Sequence, residues 1–554
     1  MSFRFHSIVV AGILGLTNAP CLAQHAEVAS GASSPAPLLQ NLGTHVHPVS
    51  TKSPLAQRYF NQGLILHYSF NHAEALRSFE AAAKADPECA MAHWGAALTL
   101  GPNINAGMDK ESVPIAWEHL SKALALSVKS SERERAYVQA LAKRYDKDPN
   151  ADRSKLDEAY ADAMRDLAKR FPDDSDAGAL CAEALMVLHP WDFWTRDGKI
   201  KPWTEEITNL LETVMAAEPN HPGACHLYIH AVEASRTANR ATAAADRLRH
   251  LVPGAGHMVH MPSHIYIRTG RYADGSEANE AAIKADQDYV SQCHAQGIYP
   301  LAYMPHNWHF LWACATLEGR SERAIEAART MADRVDSKTM RGPGMSTLQH
   351  YKATPILAYA RFGKWDAILG EPEPEKDLPY LRSVWHYARG LAFTRTGKLA
   401  EADAELAKLR AFAEDPTMKQ FSVWDINYGD KLLGIASAVV EAEIAAARKS
   451  WEPAIAALRR AVEMEDSLRY DEPSTWHHPV RQILGAVLLE AGKPKEAEEA
   501  YRQDLLEYPE NGWSLFGLHL ALKAQGKTFE SEKLKGRFDL AFKRADVVLK
   551  SSRF

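Results

Sequence analysis

Ala56-Gln-Arg-Tyr-Phe-Asn-Gln-Gly-Leu-Ile-Leu-His-Tyr-Ser-Phe-Asn-His-Ala-Glu-Ala-Leu-Arg-Ser-Phe-Glu-Ala-Ala-Ala-Lys-Ala-Asp-Pro-Glu-Cys89 is the stretch that decides the fold. With Ala56 as position one, Gly63 falls at eight, Ala75 at twenty, Phe79 at twenty-four, Ala82 at twenty-seven and Pro87 at thirty-two. The pattern describes two antiparallel helices. Small residues at eight and twenty let the helices approach, the aromatic at twenty-four fills the gap, and the proline ends the second helix. The register returns far downstream. Gly485, Gly492, Ala497, Tyr501 and Pro509 occupy eight, fifteen, twenty, twenty-four and thirty-two of a unit starting at His478, and Gly390, Gly397 and Ala402 repeat it from Ser383. Weaker units start at Ala90, Ser175, Pro222, Gly256, Pro305, Gln349, Ile435 and Gly512, with an irregular pair near 131–174.

This periodicity resembles the tetratricopeptide repeat superfamily over residues 55–545. The resemblance implies an all-α, right-handed superhelical solenoid of roughly ten to twelve helix-turn-helix repeats, whose units bury their apolar faces only by stacking. Tyr59-Phe-Asn-Gln-Gly-Leu, Phe70-Asn-His-Ala-Glu-Ala, Gly101-Pro-Asn-Ile-Asn and Asn511-Gly-Trp-Ser-Leu-Phe-Gly-Leu further resemble a group of exported, histidine-rich bacterial proteins with this repeat, which have no settled activity. The expected organisation is a signal peptide at 1–23 and a flexible leader at 24–54. Repeats follow at 55–174, histidine-rich repeats with aromatic insertions at 175–348 and further repeats at 349–528. A capping helix lies within 529–554, near Lys533–Leu549.

Composition sets the outer limits. The 554 residues are 46% hydrophobic and 24% charged, which excludes disordered and fibrous classes. Lys+Arg 64 against Asp+Glu 70 gives a net charge of −6 with no basic block, so no nucleic-acid or anionic-membrane partner is expected. Arg4, the apolar run Ile8–Leu16 and small residues before Gln24 read as a cleaved secretory signal, placing the mature chain in the periplasm or outside the cell. No later stretch is long and apolar enough to span a bilayer, and membrane insertion is not expected. Beyond Cys21 the chain has Cys89, Cys181, Cys225, Cys293 and Cys314, an odd set with no CxxC pair, so a disulfide framework is not expected.

Chemistry concentrates in the middle of the chain. Eleven of the 24 histidines lie between His189 and His309. In proteins that this one resembles, the first helix of each unit lines a concave groove with positions two, five, nine and twelve. Those positions carry His226, His230 and Glu233 in one unit, His257, His260 and His264 in the next, and His306 and His309 in the unit from Pro305. The unit before them places Glu183 at nine. An i, i+4 pair such as His226/His230 presents two imidazoles to one ion. Glu233, about 10 Å along the axis from His226 at 1.5 Å per residue, suits an orienting or general-base role better than the same ion. His226 and His230, with Glu183 and His260 or His264 as candidates for the third ligand, are the expected ligands of a divalent transition metal, zinc, copper or iron, with Glu233 handling protons or joining a second site. His257, His306 and His309 are the candidate set for a second ion, a single ion being the first expectation. Pro262 tests the pattern: a helix beginning there leaves His257 and His260 on the preceding loop.

Two insertions accompany the cluster. One carries Trp191, Trp194 and Trp203, and the other carries Tyr289, His294, Tyr299 and Tyr303. Trp191, Trp194 and Tyr303 are candidate ligand contacts, as is Arg268, which can pair with an anion from the groove. The leader's His45-Val-His47 can fold back onto a site, whereas His67, His93 and the Trp476-His477-His478 run read as packing or surface groups. With an open coordination position the ion would serve hydrolysis or oxidation of a small molecule. The competing uses are a periplasmic scaffold that holds a protein or peptide in the groove, and metal storage or delivery. No nucleophile, phosphate-loop, HExxH or dinucleotide motif is present.

Overall fold

The computed structural model describes residues 36–292 and 299–554. The expected signal peptide, the first part of the expected leader, Cys21, Cys293 and His294 lie outside the described residues. Within them the chain forms twelve antiparallel helix pairs, from Pro54–Tyr68 with His72–Ala85 to Gly512–Ala524 with Thr528–Ala541. The only sheet among the described residues is the two-residue ladder of Ser422–Val423 with Asn427–Tyr428. None of the described helices is long and apolar enough to cross a membrane.

The spacing logic is visible at the inter-helix contacts. Phe79 is fully buried, and a Cβ on Gly63 or Gly95 would stand 2.8 or 2.3 Å from its ring. The aromatic therefore wedges between its own repeat and the next. Tyr501 does the same between Gly485 and Gly517, where a Cβ would come within 2.4 and 2.2 Å. Helix starts follow local chemistry. Ser53 caps Pro54–Tyr68 by accepting from the Ala56 amide at 3.2 Å, and His221 caps Pro222–Val232 through Nδ1 at 3.0 Å from the Ala224 amide.

The expected open groove is closed. First helices of distant repeats pack directly across the coil. Trp513 Nε1 donates to the Thr316 carbonyl at 2.9 Å, Arg361 donates to Gln482 at 2.6 Å and lies 3.6 Å over the Trp513 ring, and His67 pairs with Glu183 at 3.1 Å. Buried aromatic packing accompanies this: Trp94 meets Tyr137 with ring centres 5.3 Å apart, Tyr387 meets Trp476 of a later segment at 5.5 Å, and Trp513 meets Phe362 at 6.0 Å.

Three irregular segments complete the closure. From Ala36 the leader is laid against the repeats rather than free. Tyr59 donates to the Ala36 carbonyl, and His45 and His47 both bond Asp176, which also takes His221 and the Tyr68 hydroxyl. A strap between the helices Trp451–Asp466 and Val480–Glu490 carries Glu472, Trp476, His477 and His478 into the interior, all buried. The last helix ends at Ala541, earlier than expected from the sequence. Beyond it the chain runs back along the coil: Asp546 accepts from the Ser321 amide at 2.6 Å, Ser552 donates to the Gln482 carbonyl at 2.7 Å, and Arg553 is buried against Glu443 and Glu490. A longer helix would carry the buried Ser552 and Arg553 away from these partners.

Candidate metal centre

The helix Pro222–Val232 carries His226 and His230 on one face, four residues apart. His257 and His260 lie in the short helix Gly256–His260, and His264 lies in Pro262–Arg268. Pro262 does not unseat them. Met261 keeps helical angles (φ −48°, ψ −38°), so the two pieces form one helical path interrupted only where proline lacks its amide. The i, i+4 relation therefore holds for His260/His264 as well. His306 stands in the first turn of Met304–Leu317.

These six imidazoles gather as two threes. Ring nitrogens of His226, His230 and His257 lie within 4.8 Å of one another, as do those of His260, His264 and His306. Within the first set, His226 Nε2 and His257 Nε2 are 3.1 Å apart; within the second, His260 Nε2 and His264 Nε2 are 2.8 Å apart. Two nitrogens bound to one tetrahedral zinc with bonds of about 2.0 Å are separated by about 3.3 Å, so both spacings suit a shared ion.

The opposite ring edges are tied to acceptors. His226 Nδ1 donates to the Tyr68 carbonyl at 2.6 Å, at the end of a helix whose chain reverses through Phe70 with φ +54°. His230 Nδ1 donates to Glu233 Oε1 at 2.8 Å, and His264 Nδ1 donates to Glu233 Oε2 at 2.6 Å. His260 Nδ1 donates to Asn279 Oδ1 at 2.6 Å, and the Asn279 amide nitrogen is spent on the Gly275 carbonyl at 2.8 Å, which fixes which end of the amide faces the ring. With the proton on Nδ1, the neutral imidazoles of His226, His230 and His260 present their Nε2 lone pairs inward. His230 Nε2 has no protein partner. This is the arrangement by which outer carboxylates and carbonyls orient metal-binding histidines.

Burial reinforces the charge state. It lowers His226 to about 4 and holds His230, His257, His260 and His306 well below the ordinary histidine range, with the neighbouring imidazoles adding to the effect for each of those four. The rings are neutral ligands at neutral pH. Burial and the adjacent Glu472 carboxylate push Glu233 well up, while Glu472, despite its own burial, is held at about 2 chiefly by His264.

The remaining candidates fall into distinct places. Glu183 is not at the centre, because its carboxylate is taken by His67 from the first repeat. His309 is one turn beyond His306 and points elsewhere, stacked on Trp312 with ring centres 5.2 Å apart and edge-on to His350. Glu233 has both oxygens committed to histidines, so it positions ligands rather than standing free as a base. Trp191 sets its edge against His230 with ring centres 5.2 Å apart, whereas Trp194 donates to the Ala231 carbonyl at 2.7 Å and pins the insertion. Tyr303 covers His257 at 4.9 Å, its hydroxyl accepting from Asn105. Arg268 lies over the Tyr470 ring, 5.5 Å from its centre, and donates toward the Ser235 and Glu507 carbonyls, so it clamps the closed coil. His477 and His478 are buried, and His477 Nε2 meets the Tyr387 hydroxyl.

Three participants carry no signal in the repeat pattern: Asn279, the Tyr68 carbonyl and Glu472. Glu472 reaches His264 Nδ1 from the strap. The unusual length before Trp476-His477-His478 marks the strap in the sequence, but not its destination.

Residues 56–89 match the tetratricopeptide repeat model, and the twelve helix pairs continue that unit through the described chain. The chain contains a tetratricopeptide repeat. Solved structures aligning with this repeat protein include the human IFIT1 dimer with m7Gppp-AAAA, at 13% identity over 88% of this chain and 90% of that one, TM-score 0.30. The APC/C hetero-tetramer Cut9-Hcn1 aligns at 13% identity over 89% and 78%, TM-score 0.31. The P58(IPK) TPR domain aligns at 12% identity over 85% and 99%, TM-score 0.22. Likeness at these TM-scores does not bear on what this repeat protein does. No curated protein sequence matches it.

Proposed function

We infer that this is an exported repeat protein that binds a divalent transition-metal ion through His226, His230 and His257. The carrying observation is the pair of tethers on the first helix: with Nδ1 of His226 and His230 given to a carbonyl and a carboxylate, two Nε2 lone pairs converge in a buried site beside His257. His257 Nε2 stands 3.1 Å from His226 Nε2, so the three rings can share one cation. Neutral imidazoles without thiolate fit zinc and copper, and iron where a carboxylate joins. Export rests on the reading of Met1–Gln24.

Three protein ligands leave a fourth position, where a bound ion would polarise a water or bind an oxygen ligand. The chain's own groups shape that position. Phe70, with its ring centre 4.6 Å from that of His226, and Tyr303, with its ring centre 4.9 Å from that of His257, keep bulk water out. A small oxygen-containing substrate suits this space better than a peptide, because the coil is closed over the histidines. The reading is thus of a metal-dependent hydrolase or oxidoreductase.

The test is the metal content of untagged protein secreted by its own signal, measured by elemental mass spectrometry beside the His226→Ala/His230→Ala variant. A near-stoichiometric ion absent from the helical variant is the expected result. Protein free of metal, and unable to take up zinc, copper or iron, would remove the reading.

A further inference from the structure

The first histidine set is built from an i, i+4 pair, His226 and His230, plus the leading histidine of the next repeat's first helix, His257. One repeat along, the same device recurs: His260 and His264 form the pair, and His306 arrives from the following repeat's first helix. The tethers recur too. His230 and His264 each give Nδ1 to one oxygen of Glu233, and His226 and His260 each give Nδ1 to a fixed acceptor, the Tyr68 carbonyl and Asn279 Oδ1.

The second set is the tighter of the two. His260 Nε2 and His264 Nε2 stand 2.8 Å apart in a buried site, and a ring nitrogen of His306 lies within 4.8 Å of them. Six imidazoles exceed what one zinc or copper ion takes, whereas three plus an exogenous ligand is the ordinary complement of an open site. We propose that the protein holds two transition-metal ions side by side, the second bound by His260, His264 and His306, with Glu233 as the shared carboxylate that orients a ligand of each. The proposal rests on the metal reading above. The two sets adjoin, with ring centres of His230 and His264 5.5 Å apart and of His257 and His260 5.9 Å apart. The centre is therefore a pair of adjoining three-histidine sites, each with room in its coordination for a further oxygen donor. The same residues offer one rival arrangement: a single ion on the opposite ring edges, held by His230, Glu233, His264 and Glu472.

The experiment is equilibrium dialysis of the full mature chain against zinc sulfate, followed by elemental analysis. Two zinc ions per chain are expected, with one retained in His260→Gln/His306→Gln and one in His226→Gln/His230→Gln. Cobalt(II) titration of the unsubstituted protein, read by its visible absorption, is expected to break at two equivalents and does not depend on how the variants fold. One zinc and one cobalt per chain would overturn the second site while leaving the metal reading intact, and loss of that ion in Glu472→Gln would then point to the rival arrangement. Binding of neither metal would overturn both.

Discussion

Glu233→Gln is the substitution from which the most can be worked out. The carboxylate accepts from His230 Nδ1 at 2.8 Å and from His264 Nδ1 at 2.6 Å, one proton on each oxygen. Glutamine keeps the shape but replaces one acceptor with an NH2 donor. His264 can keep its Nδ1 proton on Glu472, whereas His230, where it faces that NH2, must turn Nδ1 into the acceptor and move its proton to Nε2, where it blocks a metal. One site loses its ligand tautomer and the other keeps it. Loss of an outer-sphere partner of this kind weakens metal affinity by about 10- to 100-fold, or roughly 1.4–2.7 kcal/mol at 1.4 kcal/mol per decade. The metal-free protein should respond in the opposite sense. Burial and Glu472 both oppose ionisation of Glu233, so an uncharged amide relieves that conflict and the thermal midpoint should not fall. A competition titration against a chromophoric chelator, paired with thermal melting of the apo protein, reads both quantities. Equal affinities for both ions in variant and parent would refute the tautomer argument, and so would equal weakening of both.

Other consequences are simpler. Phe79→Ala empties the wedge between Gly63 and Gly95 and should cost about 3–5 kcal/mol, seen as a lower denaturant midpoint. His226, His230, His257, His260 and His306 are held below the histidine range in the folded chain and return to about 6.5 when unfolded, so the unfolded state binds more protons as pH falls. Stability of the apo protein should therefore drop between about pH 6.5 and 4, and chemical denaturation that is flat across this window would count against neutral buried rings. Asp176→Asn weakens the carboxylate that gathers His45, His47, His221 and Tyr68, and limited proteolysis should then cut within residues 36–53 faster than in the parent.

The repeat was legible because its physics is local. Gly63, Ala75 and Phe79 sit at spacings set by two helices in contact, and the rule recurs wherever Gly485 meets Tyr501. The concave positions of the histidines were legible for the same reason, since register alone puts His226, His230, His257, His260, His264 and His306 on neighbouring first helices. What register cannot carry is a contact between turns of the coil. Glu183 reads as a ligand from its position, yet His67 from the first repeat claims it. Arg268 reads as groove-facing, yet the strap's Tyr470 and the Glu507 carbonyl hold it. Glu472 has no period to announce it, and reaches His264 from the strap between two helices far along the chain. Closure of the coil turned a groove open to solvent into a buried centre, and it explains why the histidines there are neutral.

The most direct measurement is X-ray absorption at the metal edge of the full chain, expressed untagged and purified without chelator. The account requires a shell of about three imidazole nitrogens plus an oxygen donor per ion, lost in His226→Ala/His230→Ala together with His260→Ala. A spectrum without imidazole scattering, or protein that carries no metal and takes none up, would contradict it.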